Sequence, residues 1–129
     1  MADVNRGKRP LSPFMLGQYY RPQWGSMTSI ANRIAGLGLV VAGLMTVWWF
    51  VALAAGPEAY DTANGFITSW FGDLVMVLSM GAIWYHTLAG VRHLIWDSGH
   101  MLDVRRSDLF AKGMIAATVV FTVLTALIL

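Results

Sequence analysis

The residues able to do chemistry fall into two short runs. One is His86-Thr87-Leu88-Ala89-Gly90-Val91-Arg92-His93-Leu94-Ile95-Trp96-Asp97, and the other is Ser29, Asn32, Arg33 and Gly36, spaced to share one helical face. Both lie in or beside long apolar stretches, where a polar side chain is a functional candidate by default. Neutral imidazole offers His86 three roles: a hydrogen bond to a neighbouring helix, an axial bond to haem iron, or a step in a proton relay. Spacing alone ranks the hydrogen bond first and haem second. A relay needs further partners, and the last apolar stretch offers only Thr118, Thr122 and Thr125. His93 follows His86 by seven residues, which puts it on roughly the same side, about 10 Å further along a helix. One helix therefore cannot place both imidazoles on opposite faces of one iron. The other two apolar stretches contain no histidine, so two-histidine ligation requires a second polypeptide.

Arg33 has an alternative as a snorkelling residue at a helix end, and Asp97 as a solvated one. Against this, Ser29 and Arg33 lie at the same depth as Arg92, His93 and Asp97 on an antiparallel neighbour. Two polar clusters at one level favour a pocket for a polar head group or an anion.

These residues need long helices to carry them. About 20 apolar residues span a bilayer, and three stretches qualify: Ile30 to Ala55, Phe66 to Ile95 and Leu109 to Leu129. The expected architecture is all-α: one transmembrane domain over 1–129, with an N-terminal segment over 1–28. Helices are expected over about 29–55, 66–96 and 108–129. Strand alternation is absent. Gly56, Pro57 and the polar run Glu58 to Asn64 separate the first two helices. Asp97 to Gly99 and Asp103 to Asp108 separate the last two.

Arg6, Lys8, Arg9 and Arg21 precede the first span, and Arg105, Arg106 and Lys112 surround the second connection. The positive-inside rule then puts the N-terminus in the cytoplasm. A bacterial cytoplasmic membrane is expected ahead of the mitochondrial inner membrane. The polar start, punctuated by Pro10, Pro13 and Pro22, lacks the apolar run of a cleavable signal and reads as mature protein.

Composition excludes the competing classes. Of 129 residues 57% are hydrophobic and 12% charged, against about 25% charged in a soluble domain. A soluble enzyme is thereby excluded. Zero cysteines remove disulfides, thiolate metal sites and a cysteine nucleophile. A net charge of +2 is too small for a nucleic-acid footprint.

The run His86-xxx-Gly90-Val91-Arg92-His93-Leu94-x-Trp96-Asp97-x-Gly99 resembles the cytochrome b membrane-anchor subunit family of succinate dehydrogenase. Arg9-Pro10-Leu11-Ser12-Pro13 and Ser29-Ile30-xx-Arg33-xx-Gly36 carry the same resemblance, which covers nearly the whole chain. It implies a four-subunit complex in which a flavoprotein subunit and an iron–sulfur subunit oxidise succinate. Two small membrane subunits anchor them and pass electrons to ubiquinone. The resemblance implies that His86 is an axial ligand of haem b, shared with a second membrane anchor subunit. It places Ser29 and Arg33 at the quinone, His93 and Arg33 near the haem propionates, and Asp97 on a proton path. Two positions depart from the family: Asn32 and Phe14 stand where histidine is frequent. The alternatives are a quinol:fumarate reductase anchor and a non-redox anchor or transporter subunit without haem.

Overall fold

The computed structural model describes residues 22–128. The Arg9–Pro13 motif, Phe14 and the last residue of the third expected span lie outside the described residues. Four helices follow in order: α1 Trp24–Ala55, α2 Pro57–Ile67, α3 Trp70–Asp97 and α4 Val104–Ile128. No strand occurs among the described residues. Three helices (α1, α3 and α4) are long and apolar enough to cross a membrane. Their outward surfaces are Leu, Val, Ile and Phe, for example Leu37, Leu44, Leu78 and Leu127, the composition that lipid or a partner helix covers.

The helix starts come from caps rather than from apolar periodicity. Ser26 Oγ accepts from the Gln23 N–H at 3.3 Å and donates to the Gln23 carbonyl at 3.0 Å, so α1 begins at Trp24 and not at residue 29. Asp103 accepts the Arg106 N–H at 3.2 Å and starts α4 at Val104, where the sequence reading began at 108. Both starts are fixed by polar side chains in or beside the first helical turn.

The polar run expected as a break is itself a helix. Gly56, at φ +127°, ends α1 in a conformation that other residues rarely adopt. Pro57 then sits at the first turn of α2, where its fixed φ suits a helix start. Packing holds α2 against the end of α1. Trp49 Nε1 donates to Asn64 Oδ1 at 3.4 Å, Trp48 meets Phe66 edge-on at 5.7 Å, and Ala63 is fully buried. The second long helix accordingly starts at Trp70 instead of 66, with Ser69 Oγ accepting the Gly72 N–H at 3.2 Å.

Gly72 is fixed by this turn. A Cβ there would run into the carbonyls of Ile67 and Phe66. Gly72→Ala should lower the stability of the α2–α3 turn by roughly 1–3 kcal/mol, seen as a lower thermal inactivation temperature of the membrane-extracted protein. An unchanged temperature would show that the α2–α3 turn yields freely.

The central helix, α3, lies between α1 and α4 and contacts both. Toward α4, Trp84 Nε1 donates to Thr125 Oγ1 at 3.0 Å and its ring lies 4.9 Å from Phe121. Gly81 lets the Thr122 side chain approach closely. Toward α1, the contacts run from Gly36 opposite His86 to Thr28 opposite Tyr85 and Arg92.

Candidate functional site

The start of α1, the end of α3 and the start of α4 meet at one end of the bundle. Arg92 lies between them, only 5% exposed. Its Nη1 donates to Thr28 Oγ1 at 2.7 Å and its Nη2 to Ser107 Oγ at 3.2 Å. The guanidinium also stacks over Trp96, 4.1 Å from the ring centre. Thr28 is free to accept because its own hydroxyl proton goes to the Trp24 carbonyl at 2.7 Å. The Thr28 carbonyl in turn accepts from the Tyr85 hydroxyl at 2.9 Å.

A cavity of about 240 Å³ opens beside this cluster, and Ser29, Asn32, Arg92, His93, Trp96 and Ser107 are among its walls. Two polar atoms here are covered and have no partner among the described residues, Asn32 Oδ1 and Arg92 Nε. Leaving such groups unpaired costs about 1–3 kcal/mol each. The pocket wall thus holds one unused acceptor and one unused donor, next to the Ser29 hydroxyl and the His93 ring. His93 packs edge-on against Trp96 at 5.3 Å.

His86 lies deeper along α3, opposite Gly36. Its Cε1 and Nδ1 are 3.5 and 3.7 Å from the point a Gly36 Cβ would occupy. The glycine gives the imidazole a flat, uncrowded wall, and the ring is exposed on its other side. Among the described residues, the interhelical hydrogen bonds near it come from Tyr85 and Arg92 and not from His86. No group of three metal-ligating side chains occurs among the described residues. One open imidazole on a helix face, without such a group among the described residues, fits an iron ligand whose site a second chain completes.

The expected site residues divide in two. Ser29 and His93 line one cavity, together with Asn32 and Arg92. Arg33 and Asp97 are exposed and are not in that wall; Arg33 looks outward from the three-helix group, and Asp97 is the last residue of α3. Thr28, Tyr85 and Ser107 were missed by sequence reasoning. Thr28 had a signal, since it stands four residues before Asn32 and shares its face. Ser107 had none, because a turn through Gly99, at φ +79°, delivers it.

Comparison with known proteins adds an independent line. Residues 5–125 match the family model described as succinate dehydrogenase/fumarate reductase transmembrane subunit. The chain is 43% identical to the succinate dehydrogenase cytochrome b556 subunit of Paracoccus denitrificans, over 99% of this chain and 97% of that one. It is 31% identical to the subunit of the same name in Rickettsia bellii, over 91% and 90% of the two chains. A cytochrome b560 subunit from Marchantia polymorpha is 32% identical over 83% of this chain and 79% of its own length.

Proposed function

Because the chain belongs to the succinate dehydrogenase/fumarate reductase transmembrane-subunit family, we propose that it holds haem b through His86 and helps form the site at which ubiquinone is reduced. The carrying observation is the open His86 imidazole beside Gly36, near the middle of a membrane-spanning helix. Its nitrogen is free for iron, and the small residue opposite leaves room for a flat ring. A further ligand to the haem iron would come from a companion membrane subunit, since His93 lies on the same side of the same helix. Haem b, when bound, takes up and releases single electrons.

The remaining roles belong to the chain's own side chains. Ser29 donates its hydroxyl proton to a carbonyl oxygen of the quinone in the cavity. Arg33, facing outward, meets the quinone or a haem propionate at the boundary with the companion subunit, where a planar guanidinium can donate two bonds. His93 supplies an N–H at the same level. Asp97, exposed at the end of α3, is placed to take up protons from the aqueous side. Asn32 offers either a donor or an acceptor, but no charge. Electrons come from the iron–sulfur subunit, and succinate is oxidised on the flavoprotein subunit. The basic residues around the start of α1 and α4 put this end on the cytoplasmic side of a bacterial inner membrane.

Expression of the chain with and without its companion subunit tests the reading. Produced together, the two should give a low-spin, six-coordinate b-type spectrum; produced alone, this chain should give none. A low-spin haem on the isolated chain would overturn the shared site. Absence of any haem from the assembled complex would overturn haem binding altogether and leave a plain membrane anchor.

A further inference from the structure

Arg92 lines the cavity but has no part in the roles assigned above, yet it is one of the most buried side chains described and it carries a charge. Among the described residues its two hydrogen bonds end on neutral hydroxyls, Thr28 on α1 and Ser107 on α4. Apolar side chains of similar volume would hold three helices together at least as well as a cation in this setting. Helix cohesion by itself therefore does not account for a guanidinium here.

The chain neighbours of its partners supply a reason. Thr28 precedes Ser29, and Arg92 precedes His93. The 2.7 Å bond from Arg92 to Thr28 is thus a direct tie between the two walls of the cavity that present Ser29 and His93. Tyr85 holds the same turn of α1 at a second point, through the Thr28 carbonyl at 2.9 Å. Tyr85 and Arg92 are seven residues apart on one face of α3. The two ties converge on Thr28 from points seven residues apart on α3 and hold that residue of α1 against sliding along α3. The bond to Ser107 and the stacking on Trp96 hold the guanidinium itself. We propose that Arg92 is a positioning residue: by joining Thr28 to Ser107 from its seat on α3, it sets the Ser29 hydroxyl opposite His93 across the quinone cavity. The proposal rests on the reading of Ser29 as a quinone contact.

The test uses the assembled four-subunit complex in membranes, with a short-chain ubiquinone analogue as acceptor. Thr28→Val keeps the shape of the side chain and removes the hydroxyl that Arg92 needs. It should raise the KM for the quinone about 2- to 10-fold, the worth of one hydrogen bond, with kcat nearly constant. Succinate oxidation by a soluble artificial acceptor should not change. Arg92→Lys should raise KM at least as far, because an ammonium cannot span both hydroxyls. The double variant Thr28→Val/Arg92→Lys should be no worse than Arg92→Lys, since both remove the same tie. If Arg92→Lys fails to assemble, Thr28→Val and Ser107→Ala carry the comparison. A quinone KM unmoved in both of these, at equal assembled complex, overturns the proposal. Ser29→Ala separates the two levels. If it raises KM while Thr28→Val does not, the quinone site stands and positioning by Arg92 falls. If Ser29→Ala is itself silent, the quinone contact falls and the proposal with it.

Discussion

His86→Ala should abolish or strongly shift the reduced haem spectrum of the assembled complex and displace its midpoint potential. The imidazole has an unobstructed approach on its exposed side, and Gly36 leaves the other side uncrowded. Alanine in its place supplies no ligand, so a haem retained by the companion's side chain alone would lose its six-coordinate, low-spin character. His93→Ala serves as the control. His93 lies about 10 Å further along the helix and packs on Trp96, so its loss should leave the low-spin spectrum in place. It should move the potential at most modestly, by removing one polar neighbour of the propionates. A spectrum and potential untouched by His86→Ala would remove axial ligation from this residue. The same change caused only by His93→Ala would move the ligand to the cavity level.

The second large effect is expected at the quinone. Snorkelling requires only a long cationic side chain, so Arg33→Lys would be nearly silent if Arg33 merely ended a helix. Contact with a carbonyl or carboxylate uses the planar fork, and Lys replaces it poorly. A hydrogen bond to a charged group is worth about 1.5–3 kcal/mol, and that of the neutral Ser29 hydroxyl about 0.5–1.5 kcal/mol. Succinate–quinone reductase activity should therefore fall in both variants, more steeply in Arg33→Lys. Oxidation of succinate by an artificial acceptor should hold, measured in membranes with equal assembled complex. The cavity geometry sharpens the comparison. Ser29 lines the pocket and Arg33 does not, so Ser29→Ala should act mainly on quinone KM. Arg33→Lys should depend on the companion subunit being present. Unchanged quinone reduction in both variants would return the two residues to the helix end.

The comparison with relatives and the local geometry converge on the same helices from different directions. The family match covers residues 5–125, including the start of α1 and all of α3. The outward apolar faces of α1, α3 and α4 are equally consistent with membership of a larger assembly. Leu44, Leu78 and Leu127 are each more than half exposed, and burying such side chains against lipid or partner helices leaves the polar cluster at one end as the chain's specific feature.

Three membrane-crossing helices and the identity of the polar runs were determined by the sequence itself. A hydrocarbon slab demands about 20 apolar residues in a row with every backbone group paired internally, and that demand is local, so it is legible one segment at a time. His86 and His93 could likewise be placed on one side of a helix, because helical periodicity needs no partner. Where the helices begin was less legible, since Ser26 and Asp103 act through one or two local hydrogen bonds that the apolar pattern does not record. The helix α2 was hidden for a different reason: a run such as Glu58 to Asn64 is polar by composition, and tertiary contacts such as those of Trp48 and Trp49 from α1 turn it into a packed element. The tertiary structure alone decided which polar residues meet. Thr28 and Arg92 stand 64 residues apart, and no local pattern records that pairing. It depends on the relative rotation of α1 and α3, which their side-chain packing along the whole contact sets. The same rotation turned Ser29 and Asn32 into the cavity and Arg33 out of it, although all three share one short stretch of sequence.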